Sequence, residues 1–345
     1  MRDDIIELPV TLREVNSVIN VVSFKLSRSY FKEPFFIDSL VKKFNILESQ
    51  VKLPGEDELL SRPLYFDEAD NNVVYTPIKD FINQYKEYLL NPRLAERLGF
   101  IFHMSRCGST LFTQMLGVSD NFFVLSEPTI INAILDPAVN IDPDTKKSLL
   151  KTCFGVLDSC APITSKKTII KFRSWNILFI NLIPDCYEKV PWLFIHRNGI
   201  EVLASVIERP PGWLRSKKLY SNYFSGILNI DSDQIINMSL SEFCSRLLGI
   251  FCINARKYHS SQTRFLDYCK IKTDFFDIIR VLWNIELSKE EKGNVLKVSD
   301  LYSKDLKEKR VFISDSDTKQ KQITDKQKII VLDLVESERS KLIKI

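Results

Sequence analysis

The chain has 345 residues, enough for one large or two modest domains, and its 45% hydrophobic and 27% charged residues are those of an ordinary soluble protein. A formal net charge of +4 does not by itself point to nucleic acid, and it is compatible with a local basic pocket for an anionic ligand. Seven cysteines without a C-x-x-C pair argue against a disulfide framework and a zinc ribbon. The start, MRDDIIELPV, lacks a basic region followed by an apolar one, and no run approaches the ~18 apolar residues that a bilayer requires. The expectation is a cytoplasmic chain without a membrane span.

Residues 1–94 read as a first module. Val18 to Leu26 alternates loosely, as a strand does, and Val73 to Tyr75 is a second short strand. Asp38 is placed to cap a short helix through Phe44. Thr76-Pro77 reads as N-cap and first position of a helix whose apolar residues Ile78, Phe81, Ile82, Tyr85, Tyr88 and Leu89 keep helical spacing, with Asn91-Pro92 as its stop. No residue cluster here carries recognisable chemistry. Packing, a lid and acceptor recognition all stay open.

From residue 95 to 345 the chain alternates strands and helices, the pattern of a parallel sheet. Strands are expected at Leu98 to Phe102, Phe122 to Leu125, Thr168 to Phe172 and Trp192 to His196. The fold class is α/β: a P-loop-containing three-layer fold with a central parallel β-sheet flanked by helices, plus a smaller mixed N-terminal module. After the first strand, Met104 to Gly108 is too polar and tight to continue it, and Thr110 to Leu116 puts Leu111, Phe112, Met115 and Leu116 on one helical face. Gly108 permits close backbone approach, and the next N–H groups stand at a helix N-terminus, a ready anion site.

The loop is not a Walker A motif. Laid on Gly108, the first Gly of that motif becomes His103 and its Lys becomes Ser109, and only Thr110 fits. The cation has moved to Arg106.

In open parallel sheets, ligands sit outside the C-terminal ends of the strands. Arg106 follows the first strand, Ser126-Glu127 the second, Lys171 and Arg173 end the third, and Arg197 follows the fourth. In HRNGIEVLAS, Asn198 reads as an N-cap and Glu201 as the N3 partner of a capping box. The helix continues through Ser205 and stops at Pro210-Pro211-Gly212.

The segment Arg106-Cys107-Gly108-Ser109-Thr110 resembles the 5′-phosphosulfate loop of sulfotransferases that use PAPS (3′-phosphoadenosine 5′-phosphosulfate). The segment from Arg197 to Ser205 resembles their 3′-phosphate segment. Glu127, 21 residues after Arg106, resembles the general base of protein-tyrosine and bacterial sulfotransferases of the Glu type. The Lys-Thr-His segment of the cytosolic steroid and phenol enzymes does not occur here. Lys171 resembles a catalytic Lys of the Glu-type enzymes, although Phe172-Arg173 stands where they have Asp-Pro. Phe265 to Glu291 resembles a late family segment read as a last strand and a packed helix. Leu296 to Arg310 reads as an exposed, lysine-rich stretch. Ser314 to Gln322 reads as a loop before a terminal helix from about Thr324.

The resemblance implies transfer of a sulfuryl group from PAPS to a hydroxyl or amine, leaving PAP (adenosine 3′,5′-bisphosphate), with no metal. It implies that Arg106, Cys107, Gly108, Ser109 and Thr110 hold the 5′-phosphate, that Arg197 and Ser205 hold the 3′-phosphate, and that Glu127 and Lys171 serve catalysis. Lys319 and Lys321 either close over the nucleotide or form a solvated charge run. The acceptor reads as a small molecule. A P-loop kinase or nucleoside triphosphatase and a non-catalytic nucleotide-binding module are the alternatives. A nucleic-acid binder lacks an aromatic-interleaved basic motif. His103 and His196 end apolar strands and read as packing residues. Cys107 is either a small filler or an oxidisable thiol made acidic by the helix terminus and Arg106. Trp175, Trp213 and Arg215 belong either to an acceptor pocket or to core and rim.

Overall fold

The computed structural model describes residues 5–27, 73–183, 189–300 and 320–344. In chain order its main elements are β1 (Ile5–Val15), β2 (Val18–Ser27), β3 (Val73–Pro77), α1 (Ile78–Gln84), β4 (Leu98–His103), α2 (Ser109–Leu116), β5 (Phe122–Ser126), α3 (Thr129–Ile134), α4 (Pro143–Ser159), β6 (Lys167–Lys171), β7 (Trp192–His196), α5 (Gly199–Glu208), α6 (Leu240–Lys257), β8 (Thr263–Asp267), α7 (Ile271–Trp283), α8 (Lys289–Ser299), α9 (Asp325–Val331) and α10 (Ser337–Leu342).

The fold is α/β. Five strands form a sheet in the order β5-β6-β4-β7-β8, and three more form a separate antiparallel sheet, β1-β2-β3. β5 and β6 run parallel with Ser126 opposite Lys171, and β7 and β8 run parallel with His196 opposite Asp267. Every residue of β4 and β7 is buried, as expected for short apolar strands covered on both faces. Chain contacts divide the molecule into two compact units. One takes residues up to Phe100 with Asp120–Phe172 and Asn181–Val190; the other takes Ile101–Ser119, Arg173–Ile180 and the chain from Pro191 onward.

In the first unit, β1 and β2 form a hairpin closed by Asn16 and Ser17, both with positive φ (50° and 62°), the backbone a tight hairpin turn demands. The register slips at Pro9, which has no N–H to give the ladder. β1 packs on α3 and α4. Phe100, Phe154 and Phe172 interlock with centroids 5.1–6.3 Å apart. α4 starts as its sequence dictates, with the Asp142 side chain accepting from the Thr145 N–H and Pro143 at the first position.

In the second unit, α6 and α7 bury Phe243, Leu247, Phe251, Phe275 and Trp283. Gly249 of α6 is required by close approach, since a Cβ there would stand 2.2 Å from the Leu334 carbonyl oxygen.

Three local expectations need correction. Thr76 and Pro77 do not open a helix. They end β3 in register with Val21 and Asn20, and α1 begins at Ile78 with no side-chain cap, because pairing with β2 competes successfully for that backbone. The helix also breaks at Tyr85 before resuming over Lys86–Leu89. The stretch from Leu296 is not simply an exposed segment. Through Ser299 it completes α8, which Ser288 and Glu291 start with a capping box and which buries Val295 and Ser299. The helix expected after Asp38 and the chain from 301 to 319 lie outside the described residues.

Candidate functional site

The loop after β4 turns on left-handed backbone. Ser105, Arg106 and Gly108 have φ of 75°, 47° and 80°. Such runs turn successive N–H groups toward one concavity, and α2 continues directly from it. Gly108 is required twice over, by its φ and because a Cβ would lie 2.6 Å from the Tyr268 ring. The His103 Nδ1 accepts from the Ser105 N–H at 3.1 Å, so this buried histidine braces the loop. The Cys107 thiol is fully buried and donates to the Ile195 carbonyl at 3.1 Å, the setting of a packed small residue. Arg106 Nη2 donates to the Arg209 carbonyl at 2.7 Å. Ser109 is buried and Thr110 half-buried at the first turn of α2, where N–H groups have no intrahelical partner.

The end of β7 is tied to the same loop. The Met104 N–H donates to Ile195 O at 3.1 Å, and the Arg197 N–H reaches the Met104 sulfur at 3.1 Å. The Arg197 guanidinium lies 4.1 Å over the Tyr268 ring and holds Glu201 through Nε and Nη2 at 2.6 and 2.5 Å. Tyr268 thus touches both sequence motifs, Gly108 with one part of its ring and Arg197 with its face. Asn198 caps α5 as expected, accepting from the Ile200 and Glu201 N–H groups. The reciprocal arm of the expected capping box does not form. Glu201 instead turns its carboxylate to Arg197 and to Gln320 Nε2 at 3.1 Å, because a full charge is a stronger partner than a backbone N–H. Ser205, two turns along α5, is 8% exposed. Lys321 is exposed beside Gln320, and Lys319 lies outside the described residues.

In the other unit, the register of β5 on β6 brings Glu127 to Lys171. Lys171 Nζ donates to Glu127 Oε1 at 2.7 Å and to Ser126 Oγ at 3.4 Å. The lysine side chain is 4% exposed, that of Glu127 37%. Glu127 itself is left-handed, φ 56°, an uncommon and costly state for a residue with a Cβ. Its N–H donates to Lys171 O at 2.7 Å, and Asn132 Nδ2 holds the following turn through Pro128 O at 2.9 Å and Glu127 O at 3.4 Å. The result is a carboxylate open to solvent on a rigid backbone, backed by an enclosed ammonium.

The remaining candidates sort by burial. His196 is 1% exposed, and burial holds its imidazole down to about 4 against the opposing pull of Asp267, 3.6 Å away. Trp213 is core, its Nε1 donating to Ser174 Oγ at 3.0 Å. Trp175 is half-buried in an aromatic group with Phe179 and Tyr220, and Arg215 is exposed. Sequence reasoning missed Tyr268 as a contact of both motifs. Its only signal was its place just past the strand in FLDYC, one residue beyond Asp267.

Among the described residues no group of three or more His, Cys, Asp or Glu is placed to hold a metal, and no helix is long and apolar enough to cross a membrane. No family model and no curated protein matches the chain. Among solved structures, the chain is similar to sulfotransferase STF9 from Mycobacterium avium at 12% identity and a TM-score of 0.45, over 75% of this chain and 81% of that one. It is similar to the sulfotransferase domain of the Synechococcus PCC 7002 olefin synthase at 12% identity and a TM-score of 0.41, over 70% and 93%. It is also similar to retinol dehydratase, solved with androsterone and the inactive cofactor PAP, at 12% identity and a TM-score of 0.35, over 77% and 86%. At 12% identity the likeness is one of fold alone.

Proposed function

We propose that the chain is a PAPS-dependent sulfotransferase that transfers a sulfuryl group to a hydroxyl or amine of a small-molecule acceptor and releases PAP. The observation that carries this reading is the loop from Ser105 to Thr110. Its left-handed turns and the start of α2 make an anion cradle, and the cation it carries is Arg106 where a nucleoside triphosphatase needs a Walker Lys.

In this reading the N–H groups of Gly108, Ser109 and Thr110, with Arg106, hold the 5′-phosphate and absorb charge as the bridging S–O bond breaks. Arg197 and Ser205 hold the 3′-phosphate that separates PAPS from ATP. The Glu201 pairing through Nε and Nη2 fixes the Arg197 guanidinium in place. Cys107 contributes backbone only, since its thiol is committed to Ile195. Lys319 and Lys321 either close over the nucleotide or belong to a solvated charge run.

The acceptor oxygen bonds to sulfur, the bridging oxygen leaves with the electron pair on PAP, and the acceptor proton passes to Glu127. As Glu127 is neutralised, Lys171 loses its counter-ion and its ammonium turns to the departing oxygen. A sulfuryl group carries less charge than a terminal phosphoryl, so cationic side chains suffice and the reading asks for no metal.

The test is calorimetric titration of the full chain with PAP, with ATP and Mg²⁺ as comparison. Tight PAP binding with weak ATP binding is expected. ATP binding without PAP binding would overturn the reading in favour of a kinase or triphosphatase. Silence from both would favour a module without the chemistry.

A further inference from the structure

We infer that Glu336 and Arg339, near the C-terminus, are positioning residues for the phosphate site at Arg197, an inference that rests on the PAPS reading.

The chain reaches that site twice from its C-terminal end. Gln320 donates to Glu201, the carboxylate that holds the Arg197 guanidinium. Beyond α9 the helix widens into a π-helical turn, Leu332–Glu336, before α10 resumes. Such turns are uncommon and shift the register of the helix beyond them. Here the turn lies against the first residue of α5. A Cβ on Gly199 would come within 2.8 Å of Val331 Cγ1, 2.9 Å of Val335 Cγ1 and 3.1 Å of Glu336 Oε1. Gly199 therefore serves close packing, since it has no positive φ to explain it.

Glu336 Oε1 accepts the Gly199 N–H at 2.6 Å. Together with the Asn198 cap on Ile200 and Glu201, this gives all three first N–H groups of α5 a partner from the protein itself. Arg339 then locks Glu336 in place. Its Nε donates to both Glu336 oxygens at 3.0 and 2.8 Å, while Nη1 crosses to Asp267 Oδ2 at 2.6 Å, at the end of β8. The same Nη1 stands 3.5 Å from His196 Nδ1, on the residue before Arg197. Asp267 in turn directly precedes Tyr268, on whose ring the Arg197 guanidinium rests.

One fork thus ties three pieces of backbone that bear on Arg197: the end of β7 before it, the start of α5 after it, and the turn that carries Tyr268 beneath it. Arg339 and Glu336 touch no phosphate in this scheme. They fix the direction of the Arg197 guanidinium, and a planar fork held on two carboxylates does this where a lysine would not.

The test compares PAP with AMP, which lacks the 3′-phosphate, by calorimetry on the full chain and on Glu336→Ala, Glu336→Gln and Arg339→Lys. The unaltered chain should prefer PAP to AMP by at least tenfold. Glu336→Ala and Arg339→Lys should cut that preference about tenfold and leave AMP affinity within twofold. Glu336→Gln keeps an acceptor for the Gly199 N–H and should retain more of the preference. If Glu336→Ala does not fold, Arg339→Lys, which keeps a cation at its position, still reads the loss, and Glu336→Gln the retained preference. An unchanged preference, or a parallel fall for both nucleotides, would overturn the positioning role while leaving the PAPS reading intact. An unaltered chain that does not prefer PAP would overturn both.

Discussion

The ion pairs Lys171–Glu127 and Arg197–Glu201, each at the end of a strand, are built differently. Lys171 and Glu127 meet at 2.7 Å with the ammonium enclosed and the carboxylate 37% exposed. Arg197 and Glu201 meet at 2.5 Å with side chains 7% and 11% exposed, inside a brace of further polar groups. A carboxylate open on one side can receive a proton from another molecule. One closed on every side can only hold its partner still. In the proposed reaction, acid–base work falls to Glu127 and orientation to Glu201, although both are glutamates a short way past a strand end.

The largest expected effect breaks the first pair. Glu127→Gln should lower kcat by about 10²–10⁴ with PAP affinity nearly unchanged. Normal turnover in that variant would remove Glu127 from the base role. Arg197→Ala should show the reverse pattern. It leaves Glu201 buried without its main counter-charge, so PAP affinity should be lost and unfolding free energy should fall by about 3–5 kcal/mol in urea titrations. A well-folded Arg197→Ala chain that still binds PAP would erase the distinction drawn between the pairs.

Acid should attack the braced region next. Burial holds His196 down to about 4, against an ordinary 6.5. The unfolded chain therefore binds the proton first. Stability present above about 6.5 is lost as pH falls through that window, by about 3 kcal/mol once below the folded value. Burial raises the Asp267 carboxyl, but the Cys269 N–H, His196 and Arg339 outweigh it and hold the group below its usual range, so Asp267 stays ionised through the same window. Urea midpoints at pH 7 and pH 4.5 measure the loss, and His196→Gln should flatten it. The smallest effect is expected at Lys171→Met. The exposed Glu127 can be rehydrated, so stability should fall by only about 1 kcal/mol. A loss comparable to that of Arg197→Ala would show that the two pairs are equally buried in function.

Much of the candidate site is written locally. Glu127 and Lys171 follow or end short apolar strands in one unit, and Arg106 and Arg197 do so in the other, so each is legible as a strand-end residue from its local sequence. The Asn198 cap is equally local, because donor and acceptor lie within three residues. Other features are decided only by contacts distant in sequence. Thr76-Pro77 carries a helix-start signal, yet pairing with β2, more than fifty residues earlier, makes it strand. The strand β1 went unread because its polar residues and Pro9 obscure the alternation that its pairing with β2 enforces. The left-handed state of Glu127 depends on the Lys171 carbonyl 44 residues away, and no propensity announces it. The placement of Tyr268 under Arg197, and of Glu336 and Arg339 around α5, arises from packing between segments 71 to 143 residues apart. Sequence periodicity and caps determine which residues reach the strand ends. Burial and long-range hydrogen bonds, which no local pattern encodes, decide which of those charges are held fast and which stay open.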